Sequence, residues 1–181
     1  MFFNLFKKIP AKRNSLSKDQ RGIAAVEFAL VVPIIVILLL GSIDAVFALT
    51  AKRKVSLATH SMADIAARET ALDSTDRQAL SELGKVIMTP NDVTLANIII
   101  TGALVDSNGT TATVDWSEGF GPSALAPPIN SKINLPSALT PGVFLVVTET
   151  TLPYETLSSV MFNLSETAYF QSRSGLPIDG T

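Results

Sequence analysis

The side chains able to do acid–base, nucleophilic or metal chemistry are few and scattered. The sequence has 181 residues, with one histidine and no cysteine. A Cys nucleophile, a thiolate metal site and a disulfide framework are therefore excluded, and His60 alone cannot build a His-based metal cluster. Serines are plentiful, but there is no G-x-S-x-G elbow, and a Ser-His-Asp triad would depend on His60. Neither a phosphate-binding loop nor a dinucleotide fingerprint occurs. Asp115, Glu118, Glu149, Glu155 and Glu166 offer carboxylates for an acid pair or a Ca²⁺ site, yet their spread over loops and strands is that of a solvated face. Trp116, Phe120, Tyr154 and Tyr169 could make a sugar-stacking patch, though core packing is the commoner use of such rings. Asn163-Leu164-Ser165 fits the glycosylation pattern, which is short enough to arise by chance. These residues describe a protein that is not an enzyme and needs no cofactor or metal.

Glu27 stands apart from the other acids. It sits in the run GIAAVEFALVVPIIVILLLGSIDAVFALT, Gly22 to Thr50, and between it and Asp44 lie 16 uncharged residues. As a helix these make ~24 Å, and the apolar shoulders Ile23 to Val26 and Ala45 to Ala51 extend it past a ~30 Å hydrocarbon core. A carboxylate inside such a run is costly, about 2.5–3.5 kcal/mol at the helix centre, so Glu27 either snorkels to the interface or has a partner. Asp44, past Gly41-Ser42 at the far edge, suits an interfacial or subunit-facing role better than that of a proton carrier. Pro33 removes a hydrogen bond in mid-helix and introduces a kink position that lipid tolerates.

Charge supplies the topology. The formal total is −2, which argues against a nucleic-acid partner. Residues 1–21 hold Lys7, Lys8, Lys12, Arg13, Lys18 and Arg21 against Asp19 alone, a local +5 that leaves −7 for the rest. Six cations before the span and three after it (Lys52, Arg53, Lys54) favour a cytoplasmic N-terminus and an exported remainder. A cleaved signal peptide, with Val46-Phe47-Ala48 as its cleavage site, is the competing reading; the long apolar run, Glu27 and Pro33 argue against it.

The arrangement Gly22, four small or apolar residues, then Glu27-Phe28 resembles a type IV prepilin processing site. That resemblance implies a membrane peptidase cutting between Gly22 and Ile23, and a Glu27 that sets register by neutralising the new amino group of a neighbouring subunit. The longer stretch RGIAAVEFALVVPIIVILLLG is similar to the N-terminus of the TadE-like family, minor pseudopilins of the Tad (Flp) tight-adherence pilus system. The matching features are Ala25 to Leu30, Pro33, the Leu/Ile run ending at Gly41, and a small-residue helix closing on an Arg, Ala58 to Arg68. The resemblance implies a structural or assembly subunit of the bacterial inner membrane with a periplasmic head. Its partners would be membrane lipid, the prepilin peptidase, other pilin-like subunits and the Tad assembly platform. A membrane-tethered periplasmic binding domain outside any pilus is the alternative.

Positioning these residues requires a long helix and a small head. Val55, Ala58, Met62, Ile65, Ala66 and Leu72 recur at helical spacing, so the span continues as an amphipathic stem. Asp73 to Asp76 offers caps for a helix over Arg77 to Met88. Val93–Val105, Thr110–Trp116, Val143–Thr151 and Leu164–Gln171 read as strands, with a hairpin turn at Asp106 to Gly109. Gly119–Pro141 reads as an irregular loop, Pro153–Phe162 as a turn or short helix, and Ser172–Thr181 as a loose tail. The expected organisation is a leader (1–22), a transmembrane helix (23–51), a stem (52–72), a head (73–172) and a flexible tail (173–181). The expected fold class is α+β, a type IV pilin-like lollipop whose stem packs on an antiparallel sheet of about four strands.

Overall fold

The structure, a computed structural model, describes residues 20–157 and 159–180. The chain is α+β: a long N-terminal apolar helix is followed by a small antiparallel sheet. Its basic leader lies outside the described residues, apart from the last few positions. Two compact units divide at Ile43/Asp44. The described part of the first is helical from Gln20 onward and apolar.

Helix α1 (Gln20–Ala66) carries Pro33 in its interior and runs through it. In the second unit, its residues Ala51, Val55, Ala58, Met62 and Ala66 fall three or four apart and are essentially fully buried. That stripe is the helical repeat of an amphipathic stem laid on a core. The helix stops at Ala66, six residues short of the expected stem end at 72, because residues 70–72 are recruited elsewhere. The Thr70 carbonyl accepts from the Asp179 N–H, and the Leu72 N–H donates to the Asp179 carbonyl.

Helix α2 (Ser74–Met88) begins on a capping box in which Asp73 accepts from the Asp76 N–H and Asp76 accepts from the Asp73 N–H. Each such pair satisfies backbone donors that a helix start leaves open. Its inner face is Arg77, Leu80, Ser81, Gly84 and Met88. A Cβ on Gly84 would stand 2.4 Å from the Met62 sulfur, so glycine lets α2 approach the stem closely.

The sheet has five strands in the order β3-β2-β1-β4-β5: β1 (Asn97–Val105), β2 (Thr111–Phe120), β3 (Lys132–Asn134), β4 (Phe144–Glu155) and β5 (Met161–Gln171). Every pairing is antiparallel. One face, with Ile98, Ile100, Trp116, Val146, Leu152 and Leu164, packs with the stem and α2. On the other face Ala103, Val105, Ala112, Leu145 and Val147 are covered by Ile133, Leu135, Leu139 and Val143.

Three segments differ from the sequence expectation. Within the Gly/Pro-rich stretch, β3 adds a fifth strand, and Leu135 and Leu139 fold over the back of the sheet. Apolar residues recurring among prolines supply that cover, which composition alone conceals. Of the turn or short helix expected over Pro153 to Phe162, the structure has the turn, confined to the residues between Glu155 and Met161. On either side of it β4 and β5 continue, pairing as far as Glu155 with Met161, and Pro153 lies where β4 has passed the end of its pairing with β1 at Thr151, so only one side of the strand is in a ladder. The tail is docked rather than loose: Ile178 is fully buried, and Ala71 and Asp179 form a parallel bridge.

Candidate functional site

Residues Gly22 to Thr50 fall in α1, and most side chains from Ile23 to Ile43 form an apolar surface left exposed among the described residues. Ile23, Phe28, Leu30, Ile37, Leu38 and Leu49 are each at least 60% exposed. An aqueous helix with such a surface all round would be strongly unfavourable, at about 25 cal/mol per Å² of apolar area left in water. Among the described residues this is the one helix long and apolar enough to cross a membrane.

Gly22 and Ile23 lie in the first turns of α1, with Ile23 61% exposed. A Cβ placed on Gly22 would meet nothing within 4 Å among the described residues. Glycine near a helix start weakens the first turn, because it has the most backbone freedom to lose. Glu27 is exposed on the same helix and makes no ion pair among the described residues. Phe28 beside it is 71% exposed, and Pro33 is exposed further along. Four of the five singled-out residues thus present themselves outward from one helix; Gly22 presents backbone.

Asp44 has a role that the sequence did not disclose. Its Oδ1 accepts from the Leu157 N–H at 2.8 Å, tying the start of the stem to the β4–β5 turn. Further along, Lys52 Nζ reaches Glu166 at 2.5 Å and Asp64 pairs with Arg173 at 2.6 Å. Lys54 donates to the Thr89 carbonyl. Hydrogen bonding from Lys52 holds the Glu166 carboxyl below its ordinary range; for Asp64 the Arg68 guanidinium is the first cause, with Arg173 adding to it. Two of the three cations after the span are thus used to fasten the head, and Arg53 stays exposed.

A family model described as TadE-like protein matches residues 22–72. This stretch is similar to the TadE-like family. It begins at the glycine of the processing-site pattern and ends with the buried Leu72, so the TadE-like match takes in the apolar helix, the stem and the first docking contact with the tail. The TadE-like family is pilus-associated and structural rather than enzymatic. No curated protein and no solved structure matches the chain.

Elsewhere the candidate chemistry resolves into structure. His60 Nδ1 lies 2.9 Å from the Ser56 carbonyl, and its ring stands edge-on to Phe170. Glu118 pairs with Arg77 at 2.6 Å. Among the aromatics, Trp116 is 6% exposed and belongs to the core, whereas Tyr154 pairs with Phe162 at the edge of the sheet. Arg77 and Trp116 form a lock that the sequence offered no pattern for. The guanidinium lies 5.2 Å from the Trp116 ring centre and donates to the Leu72 and Gly180 carbonyls, while the indole N–H donates to the Ile178 carbonyl.

Proposed function

We propose that this chain is a minor pseudopilin-like assembly subunit of a Tad-type pilus. It is anchored in the bacterial inner membrane with its N-terminus inside and its head in the periplasm, and it is trimmed between Gly22 and Ile23 by a prepilin peptidase. The observation that carries this reading is the uncovered apolar surface of α1 within the TadE-like segment, interrupted near its start by Glu27 alone. A plain tether needs apolar length but no acid in the run. In a bundle of like helices, Glu27 meets the amino group that processing creates on Ile23 of a neighbour, a pairing that offsets the cost of either charge in a low-dielectric setting. Phe28 and the neighbouring aliphatic side chains then supply the packing surface toward other pilin-like subunits and the assembly platform.

The test is the intact mass and N-terminal sequence of protein extracted from membranes, with Glu27→Ala assayed beside it. The expected mature chain starts at Ile23, and Glu27→Ala abolishes pilus assembly while the protein stays in the membrane. A full-length chain refutes processing. A start at Leu49 restores the cleaved signal peptide, and normal pili from Glu27→Ala leave the helix as a tether.

A further inference from the structure

The turn joining β4 and β5 has an unusual composition. Hairpin tips in water are ordinarily polar, rich in Gly, Asn and Asp. Here residues 156–162 read TLSSVMF, without a charge, and Leu157, Val160 and Met161 are 71%, 58% and 64% exposed. Both strands are paired down to Glu155 and Met161, so the apolar tip is held on a rigid ladder. Thr156 closes the turn: its N–H and hydroxyl donate to the Val160 carbonyl, and its carbonyl accepts from the Ser159 N–H.

The location of the tip identifies what it touches. Leu157 N–H donates to Asp44, the residue that directly follows the uncharged run Phe28 to Ile43. The tip is therefore fastened at the point where the chain leaves that run. Beside it on the hairpin, the Tyr154 and Phe162 rings meet at a tilt of 53° with centres 5.5 Å apart. Aromatic side chains at this level are the usual furniture of a membrane–water interface. Glu155 is exposed at the start of the tip and limits how deep it reaches. Arg53, exposed two turns along the stem, is placed for lipid phosphates.

We propose that the β4–β5 tip is a second membrane contact, with Leu157, Val160 and Met161 set into the headgroup and upper acyl region of the outer leaflet around the helix. This rests on α1 spanning the bilayer as proposed above. Its occupant is lipid rather than a partner subunit, because the tip is fastened at Asp44, the residue at which the chain leaves the uncharged run.

The chain has no cysteine, so single thiols can be introduced without interference. Leu157→Cys, Ile37→Cys and Leu125→Cys, all at exposed positions, are labelled with a polarity-sensitive fluorophore in the full chain. The proteins are reconstituted at low density in vesicles of phosphatidylcholine and phosphatidylglycerol, with quenchers carried on lipid or dissolved as iodide. The Ile37 label reports the span itself and Leu125 the aqueous head. The expected result is a blue-shifted Leu157 label, quenched by shallow lipid-borne quenchers and several-fold less sensitive to iodide than the Leu125 label. The proposal is overturned if the Leu157 label matches Leu125 while Ile37 is lipid-embedded, which leaves the span intact. It is equally overturned if Leu157 is shielded from both quenchers, as a protein partner would do. Iodide access to Ile37 would remove the membrane-spanning reading and this one with it.

Discussion

At the residue scale, charge placement in the head follows ordinary electrostatics. Asp106 accepts from the Thr111 and Thr113 hydroxyls at 2.5 and 2.6 Å and lies 3.2 Å from Lys132 Nζ. Those hydroxyl bonds, then Lys132, lower its pKa to about 2. Because the folded value lies below the unfolded ~3.9, the carboxylate contributes stability in full above the unfolded value. That contribution disappears as pH falls from about 4 through about 2. Acid unfolding of detergent-solubilised protein, followed by circular dichroism, should show Asp106→Asn losing less stability over that window than the unaltered chain, at a lower starting stability. Equal slopes would mean that the Asp106 network does not contribute. The same direction holds for Asp92, lowered first by the Thr94 backbone N–H, whereas burial raises the Tyr169 phenol.

At the element scale, close approach decides which glycines matter. Trp116 lies between two of them: a Cβ on Gly102 would come 2.3 Å from its ring, and one on Gly180 would come 2.4 Å. Gly102 also marks the register shift between β1 and β2, where Gly102 faces Trp116 but Ala103 faces Val114. Gly102→Val must push the indole out of its seat and break its bond to Ile178, a loss of about 2–3 kcal/mol by overpacking. Chemical denaturation with the tryptophan emission as probe checks this, since Trp116 is the single tryptophan. An unshifted midpoint would show that the ring has room to move. The helices were legible for a related reason. Apolar spacing at Val55, Ala58 and Met62 and the cap residues Asp73 and Asp76 are local signals; the structure buries the first three and caps α2 at Asp73, so that it begins at Ser74, three residues ahead of the expected start at Arg77. In the segment Pro153 to Phe162 the turn was legible but the strand pairing on either side of it was not, because a proline with a Ser-Ser pair soon after it looks like a longer break. Pairing with β5 decides otherwise, and that pairing depends on residues that the local pattern does not contain.

At the scale of the whole molecule, the C-terminus closes the head. Ile178 is buried in the main core, and the tail carbonyls at 178 and 180 receive Trp116 and Arg77. A chain lacking residues 177–181 loses an apolar side chain and leaves a buried indole N–H and a largely buried guanidinium short of acceptors. The expected destabilisation is about 2–4 kcal/mol, read as a lower thermal midpoint of the solubilised protein. An unchanged midpoint would make the tail an accessory. The part of α1 up to Ile43 should be unaffected in the same sample, because it belongs to the other compact unit.

Hydropathy, charge asymmetry and the Gly22 to Glu27 spacing are properties of contiguous residues, so the sequence by itself determined the apolar helix, the candidate processing bond, the stem and most of the strands. The TadE-like match over 22–72 rests on that same contiguous information. Only the tertiary structure decided that Asp44 holds the β4–β5 tip, that Lys52 and Lys54 fasten the head, and that Arg77 and Trp116 capture the tail. The physical reason is separation along the chain. Asp44 and Leu157 lie 113 positions apart and Arg77 and Gly180 lie 103 apart, and a hydrogen bond between such residues exists only once the sheet has brought them together.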